Sequence, residues 1–307
     1  MPVRHRLIAA AVATCWGLNF IAIDASLRQF PPFFLVALRF ALIAVPTVLL
    51  VPRPRVALRW LIGYGLGFGA LQFLFLYWGM AVGMPAGLAS LVLQASAPFT
   101  VLLGAVFGRH RPGPRAALGI LLACAGLVAV GWQRAAGPAA LTAFLLVVAG
   151  AFAWAIGNLC NARAQAPNPL HLTLWMSVVP PVPMLALSLA VEGPGRIGTS
   201  LVGWDSPAWW PALAGLAYTV LIATVGGSGA WSWLMARHPA GVVAPFSMLV
   251  PVVGITAAWL LLGERPAWGE IAGGAVVVLG VLVAGSRRRR VAPVAASPVP
   301  ATELSSR

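Results

Sequence analysis

The chain has 307 residues, of which 60% are hydrophobic and only 8% are charged, and its mean hydropathy is +0.91. Soluble domains carry about 25% charged residues, so this composition excludes a water-soluble fold. The formal charge of +14 would suggest nucleic acid in a soluble protein, but the basic residues are all arginine and lie mostly in short gaps between apolar runs. Such gaps are typical of the cytoplasmic side of membrane proteins, so we expect no nucleic-acid partner.

Apolar runs divide the chain into ten candidate membrane spans. A hydrocarbon core of about 30 Å needs about 20 apolar residues per helix, and the chain has room for about ten such helices. Breaker residues place the starts in chain order near Leu7, Phe33, Trp60, Ala86, Ala116, Ala139, Leu172, Trp209, Gly241 and Gly269. The sequence predicts an all-α membrane protein with five helices in 7–133 and five in 139–286.

The stretches outside the spans differ in composition. Residues 192–207 are rich in Gly, Pro and polar side chains, and we expect a loop there. Residues 287–307 begin with a run of arginines and continue rich in Pro, Ala and Ser, so we expect a disordered cytoplasmic tail.

Arginine is distributed unevenly among the predicted gaps. The gaps on the side of the N-terminus contain Arg4, Arg6, Arg53, Arg55, Arg59, Arg109, Arg111, Arg115, Arg163, Arg237 and the run 287–290, whereas the other gaps contain Arg28, Arg134, Arg196 and Arg265. Because arginine marks the cytoplasmic side, both termini are expected in the cytoplasm. The sequence thus predicts a multi-pass protein of the bacterial inner membrane.

The two halves of the sequence match each other. Trp16 corresponds to Trp154, the segment 85–87 (PAG) to 239–241 (PAG), and Gly126 to Gly280. Since each half has an odd number of spans, the second half enters the membrane from the opposite side. Inverted repeats of this kind are typical of secondary transporters, in which a site near the midplane is exposed alternately to each side.

Two ionisable residues fall within the spans. Arg39 lies about seven residues from either end of the second span, and a charge at that depth is costly. It either faces a wet cavity and pairs with a substrate carboxylate or ties helices together through backbone carbonyls. Asp24 lies near the outer end of the first span, where Arg28 is four residues away, so an interfacial ion pair is favoured over a role in proton coupling.

Uncharged polar residues recur at helical spacing. Four pairs each share one helix face: Trp16 with Asn19, Phe68 with Gln72, Ser90 with Gln94, and Trp154 with Asn158. These groups either line a pathway for a zwitterionic solute or form hydrogen bonds between helices, and collectively we interpret them as a lining.

The repeat-related prolines Pro98 and Pro251 lie within apolar spans. Each removes a backbone donor and kinks its helix, which marks either a gating hinge or a simple packing kink. The histidines and cysteines show no metal-ligand or catalytic spacing, so the sequence predicts no enzyme, no metal and no cofactor. A polytopic membrane enzyme stays a remote alternative.

Several motifs resemble the EamA family of the drug/metabolite transporter superfamily. They are WGLNF at 16–20, LRF at 38–40, GYGL at 63–66, GMPAGLASLVLQA at 83–95, GN at 157–158 and VAPFSMLVPVVG at 243–254. The resemblance implies ten helices in two EamA repeats around a central cavity. It also implies these cavity residues: Trp16, Asn19, Arg39, Gln72, Gln94, Trp154, Asn158 and Ser247.

Within that family the chain is similar to exporters of O-acetylserine and cysteine-pathway metabolites. The resemblance implies export of a small zwitterionic, amino-acid-like substrate. We expect a monomer or a homodimer embedded in the lipid bilayer. Efflux of cationic or aromatic drugs is the alternative, favoured by the tryptophans and Asp24. One departure is that Gly108 is followed by Arg109, where the family usually has glutamate, whereas Gly263 is followed by Glu264.

Overall fold

The computed structural model describes residues 1–108, 113–135, 137–202 and 204–285. Within these ranges every regular element is helical, and nine helices are long and apolar enough to cross a membrane. They are α1 (Val3–Leu27), α2 (Pro32–Leu50), α3 (Leu58–Ala81), α4 (Ala86–Phe107), α5 (Pro114–Arg134), α6 (Pro138–Ala164), α7 (Pro169–Val191), α8 (Trp209–Arg237) and α9 (Ala244–Leu262). A shorter apolar helix, α10 (Trp268–Gly285), follows.

The helices begin within four residues of the predicted starts. Proline occupies the first turn of α2, α5, α6 and α7, where its missing N–H is not needed and its fixed φ suits a helix. The arginine run 287–290 and the predicted tail lie outside the described residues.

The prediction of a loop over 192–207 is wrong in part. A ten-residue helix, Gly193–Val202, fills most of it and is called the connecting helix below. Gly193 has φ +80, which breaks the chain away from α7. The connecting helix buries Ile197 and Ser200 on one side. Glycine and proline at its start are usual signals of a loop, but proline is tolerated in a first helical turn.

The helix packing repeats after five helices. α1 packs against α8 and α9, α6 packs against α3 and α4, α2 packs against α7, and α5 packs against α10. If each helix is exchanged for the one five places away in the chain, the contacts of α1 become the contacts of α6, and the pairs α2–α7 and α5–α10 map onto themselves.

Non-α segments also recur at corresponding places. α3 has a π-helical segment at Gly65–Leu71 and α8 has one at Tyr218–Gly226. α4 contains a 3₁₀ turn at Leu93–Ala95, and α9 begins with one at Ala244–Met248. π-helical turns are uncommon and often lie at functional sites. They therefore direct attention to the middle of α3 and α8.

Glycines bring α5 and α10 into close contact. A Cβ placed on Gly126 would lie 2.5 Å from the carbonyl oxygen of Gly273, and one on Gly119 would lie 2.5 Å from that of Gly280. Only glycine allows the backbones to approach so closely, as in small-residue packing of membrane helices. We call this contact the glycine interface.

Two ends of the helix bundle are distinguished below. The terminal face is the end at which α1 begins and α8 ends, at Val3 and Arg237, and the opposite face is the end at which α1 ends and α2 begins, at Leu27 and Pro32.

Candidate functional site

The side chain of Arg39 lies in the middle of the bundle. It is 4% exposed, and its Nη1 donates to the hydroxyl of Tyr77 at 2.8 Å while its Nη2 donates to Oγ1 of Thr224 at 2.9 Å. The guanidinium carbon stands 3.9 Å from the ring centroid of Phe73. The Nε atom is buried and has no hydrogen-bond partner. The cation is therefore held by two neutral hydroxyl groups, and its Nε donor has no partner. No hydrogen bond to a backbone carbonyl is found for Arg39 among the described residues.

The π-helical segment of α8 supplies one side of this arrangement. The hydroxyl of Thr224 donates to the carbonyl of Thr219, five residues earlier, at 2.7 Å. The hydroxyl of Thr219 in turn donates to Oδ1 of Asn19 at 2.7 Å. Asn19, Thr219, Thr224, Arg39 and Tyr77 thus form one connected series of hydrogen bonds across α1, α8, α2 and α3, which we call the polar chain.

Sequence reasoning found two members of the polar chain, Asn19 and Arg39, and missed the other three. Tyr77 lies in the same helix as Gln72, and its hydroxyl was the available signal. Thr219 and Thr224 are five residues apart, a spacing that shares a face only in a π-helix, so regular α-helical periodicity gives no indication of their role.

Two predicted glutamines are also buried. Gln72 is 2% exposed and its Oε1 has no hydrogen-bond partner, although it lies at the end of the π-helical segment of α3. Gln94 is 7% exposed and lies in the 3₁₀ turn of α4. A buried acceptor without a partner costs free energy, and Oε1 of Gln72 is free to accept a hydrogen bond.

The two predicted hinge prolines lie just after the 3₁₀ turns, and both are buried. Pro98 has no N–H to offer to the carbonyl of Gln94, four residues before it, and Pro251 has none for the carbonyl of Ser247. Each proline thus deprives a predicted site residue of its α-helical hydrogen bond, at the same place in each half.

Aromatic rings connect Trp154 to Arg39. The ring centroids of Trp154 and Phe68 are 5.7 Å apart, and those of Phe68 and Phe73 are 6.0 Å apart. Phe73 is the ring over which the Arg39 guanidinium lies. The structure therefore brings Trp154, in α6, into one continuous cluster with the polar chain.

Trp16, in α1, lies near the same region and contacts α8. Its Nε1 donates to the carbonyl of Ala223 in the π-helical segment of α8 at 2.8 Å, and its ring lies 5.1 Å from that of Trp231. Both tryptophans predicted from the repeat are only partly buried. They offer apolar surface beside the polar chain.

Three predicted residues stand apart from this cluster. Nδ2 of Asn158 donates to Oγ1 of Thr100 at 3.1 Å, and the hydroxyl of Ser247 donates to the carbonyl of Ala244 at 2.7 Å. Asp24 forms an ion pair with Arg28 at 2.8 Å, as its spacing predicted.

Carboxylates join helices at the opposite face. The two oxygens of Glu264 accept from the backbone N–H groups of Ala86 and Gly87 at 2.7 and 3.0 Å, where α4 begins. The two oxygens of Glu192 accept from the N–H groups of Phe33 and Phe34 at 2.8 and 2.9 Å, where α2 begins. A carboxylate at a helix N-terminus is stabilised by the free donors and by the helix dipole. α9 is thus tied to α4 and α7 to α2.

The helices group differently toward the terminal face. The first turns of α9 pack on α1, while the last part of α4 packs on α5 and α6.

A pair of histidines lies at the terminal face. Nδ1 of His5 and Nε2 of His238 are 2.6 Å apart, which joins the start of α1 to the segment after α8. Desolvation lowers the pKa of His238, and the neighbouring His5, the N-terminal amine and Arg237 lower it further. The partly buried Trp154, Asn158 and Ser247 lie on this side of the buried cluster.

The groups brought together at this site are suited to binding a small ligand. A buried guanidinium with a free donor can bind a small anionic group such as a carboxylate. The neutral amides, the hydroxyls and the aromatic rings can contact the rest of such a ligand. Among the described residues, no group of three or more His, Cys, Asp or Glu could hold a metal ion.

The sequence matches the model of the EamA-like transporter family over residues 6–132 and 141–286. A probable amino-acid metabolite efflux pump of Salmonella typhimurium is 40% identical over 96% of this chain and 99% of that protein. One of Escherichia coli with the same description is 39% identical over 92% of this chain and 95% of its own length.

A probable terminal-alkyne amino-acid exporter of Streptantibioticus cattleyicolor is 30% identical over 73% of this chain and 72% of that protein. A solved crystal structure with 20% identity covers 92% of this chain and 97% of its own with a TM-score of 0.58, which shows a likeness of fold alone.

Proposed function

Since the chain belongs to the EamA-like transporter family, we propose that it exports small amino-acid-like metabolites, such as O-acetylserine, cysteine-pathway compounds or other amino acids, across the bacterial inner membrane. The relatives described as amino-acid metabolite efflux pumps and as an amino-acid exporter support this class of substrate. The transporter works by alternating access, and export is secondary rather than coupled to bond cleavage.

The proposed architecture has ten transmembrane helices in two inverted repeats, 7–133 and 139–286, with both termini in the cytoplasm. Three observations support it. The family model matches two segments of similar length, the helix contacts repeat after five helices, and the π-helical segments of α3 and α8 correspond. In this arrangement the terminal face is cytoplasmic and the opposite face is periplasmic.

The observation that carries the proposal is the buried guanidinium of Arg39, which has neutral partners and an unused Nε donor. It binds the substrate carboxylate. Amide and hydroxyl groups bind the remaining polar atoms, and the tryptophans face the substrate body. The proposed contacts beyond Arg39 are Trp16, Asn19, Gln72, Gln94, Trp154, Asn158 and Ser247.

The proposed conformational change bends α4 and α9 where the prolines interrupt them. Pro98 and Pro251 leave the carbonyls of Gln94 and Ser247 without an α-helical donor, so the helices flex there at low cost. The carboxylate contacts of Glu264 and Glu192 hold the periplasmic end closed, and the described conformer is therefore closed to that side. The ion pair of Asp24 with Arg28 favours a structural role for Asp24 over coupling.

Efflux of cationic or aromatic compounds is the second candidate. The partly buried rings of Trp16 and Trp231 form an aromatic surface that would suit a flat cation. Buried Arg39 counts against it, because the nearest charge at the centre is positive.

The test compares cells that express wild type, Arg39→Ala and Arg196→Ala, the last being an exposed arginine on the connecting helix. We expect export of O-acetylserine and cysteine to fall to the level of empty cells with Arg39→Ala and to stay at the wild-type level with Arg196→Ala. Full export by Arg39→Ala at equal protein level would overturn the site. Resistance to toxic cations, without resistance to toxic amino-acid analogues, would favour the second candidate.

A further inference from the structure

The acidic side chains lie at one end of the bundle, away from Arg39. The sequence has six acidic residues, and the five in the described part all lie at the opposite face: Asp24, Glu192, Asp205, Glu264 and Glu270. The sixth, Glu303, lies in the C-terminal tail, outside the described residues. Arg39 is thus a buried positive charge whose side-chain hydrogen-bond partners are the neutral hydroxyls of Tyr77 and Thr224.

The acidic side chains at the opposite face already have partners in four of five cases. Asp24 pairs with Arg28 and Glu270 with Arg134, at 2.8 and 2.7 Å. Glu192 and Glu264 accept from backbone donors at helix starts. Asp205 is exposed. Moving one of the four paired carboxylates toward Arg39 would break contacts that hold helices together.

A zwitterionic substrate meets unequal conditions at its two ends. Its carboxylate meets the Nε donor of Arg39, whereas its ammonium finds no carboxylate there, since the side chains that hold Arg39 are the neutral hydroxyls of Tyr77 and Thr224. In a medium of low dielectric constant, an ammonium near Arg39 without a counter-ion is repelled by it. A substrate of net charge −1 would neutralise the positive charge of Arg39.

We infer that the site selects its substrate by the carboxylate and does not require the ammonium, so that N-acylated amino acids are substrates and their export is driven by the membrane potential. This inference rests on the proposed function and names its substrate class. With an anion bound, Arg39 and the substrate are neutral together, and the empty site returns with its positive charge. One negative charge therefore leaves the cell per cycle, which an inside-negative potential favours.

The test uses the purified full chain in liposomes and three compounds of one skeleton. O-acetyl-L-serine is a zwitterion, its isomer N-acetyl-L-serine is an anion once its carboxyl group has lost its proton, and O-acetylethanolamine is the cation that lacks the carboxylate. All three are kept at mildly acidic pH, because an unprotonated amine would take the acetyl group from the oxygen of the O-acetyl compounds. Each is loaded with a radiolabel, and its efflux is measured with and without an inside-negative potassium diffusion potential. Arg39→Gln and the exposed control Arg196→Gln are measured alongside.

N-acetyl-L-serine is expected to leave at least as fast as O-acetyl-L-serine, and O-acetylethanolamine is expected to stay inside. A potential of about 100 mV acting on one charge changes the equilibrium ratio by about fiftyfold, so efflux of the N-acetyl compound should speed up several-fold. Arg39→Gln should abolish this response, and Arg196→Gln should keep it.

The inference is overturned if O-acetyl-L-serine is carried while N-acetyl-L-serine is not, or if efflux of the anion ignores the potential. Either result leaves the proposed function intact. If none of the three compounds leaves faster than from empty liposomes, the proposed function is overturned together with the inference.

Discussion

The glycine interface and the polar chain hold helices together by opposite means. Between α5 and α10, glycines let two backbones touch, with Gly126 against Gly273 and Gly119 against Gly280. Between α2, α3 and α8, two hydroxyls hold a buried cation at hydrogen-bond distance, and the amide of Asn19 in α1 joins the same series of bonds through Thr219. The first contact is close and apolar, whereas the second buries a charge that membrane proteins rarely tolerate.

This difference separates stability from function. A contact made of backbone and small side chains gives dispersion energy and has one arrangement, so its purpose is to hold the fold. A buried arginine costs free energy and retains an unused donor, so stability alone does not explain it. The comparison predicts that substitutions in the two regions fail in different assays.

The largest effect is expected from Gly126→Leu. A Cβ at this position meets the backbone of α10 at 2.5 Å, and overpacking costs about 1–3 kcal/mol, with the upper end expected where the clash is with backbone that cannot move aside. We expect little folded protein in a size-exclusion assay of detergent-solubilised membranes. Gly104→Leu is the control, because a Cβ on Gly104 meets no atom within 4 Å. A stable Gly126→Leu protein would show that the glycine interface is not required for the fold.

The next effect tests the partners of Arg39. Tyr77→Phe removes one hydrogen bond of the charged guanidinium, and Thr224→Val removes another together with the bond from Thr224 to the carbonyl of Thr219. A bond to a charged group is worth about 1.5–3 kcal/mol, so we expect the KM for the exported metabolite to rise about tenfold or more in each variant. Thr224→Ser keeps the hydroxyl and should restore the KM. A loss of stability without a change in KM would assign both residues to packing and would remove the contrast with the glycine interface.

A smaller effect concerns the tie between α9 and α4. Glu264→Gln removes the charge that accepts two N–H groups at the start of α4, which weakens closure of the opposite face by about 1 kcal/mol. A cysteine at the buried Leu88, in a chain free of native cysteine, should then react with a thiol reagent about fivefold faster. Asp205→Asn, at an exposed position on the same face, should leave the rate unchanged. Equal rates in both variants would contradict the role of Glu264.

The smallest effect is expected from the histidine pair at the terminal face. Because the pKa of His238 is lowered in the folded protein, the unfolded chain binds more protons near pH 6.5, and stability falls as the pH drops through that value. We expect a lower unfolding midpoint at pH 5.5 than at pH 7.5, and a smaller difference in His238→Gln. His171→Gln, also near the terminal face, should behave as wild type. An unchanged difference in His238→Gln would show that His238 does not cause the pH dependence of stability.

The sequence predicts the helices better than it predicts the site. Apolar runs and prolines determine where spans begin, and the burial of Arg39 follows from its depth in α2. The partners Tyr77 and Thr224 depend on how α3 and α8 pack against α2. The π-helical segments change the side-chain register, so i, i+4 spacing does not locate the neighbours of Gln72.

The connecting helix and the carboxylate contacts were missed for a related reason. Glu192 looks like a loop residue in the sequence, but it is 7% exposed and accepts from the start of α2. Such a contact joins residues more than a hundred positions apart, and no local pattern reports it. Asp24 and Arg28 were predicted correctly because their contact is local.

Binding to purified protein tests the role of Arg39 most directly. Labelled O-acetyl-L-serine is titrated against wild type, Arg39→Gln and Arg196→Gln at equal folded concentration. We expect Arg39→Gln to weaken binding at least tenfold, since a buried charge-assisted hydrogen bond is worth about 1.5–3 kcal/mol. Arg196→Gln should bind the compound as the wild type does. Wild-type affinity in a folded Arg39→Gln protein would contradict the account, because the substrate carboxylate would then be bound elsewhere.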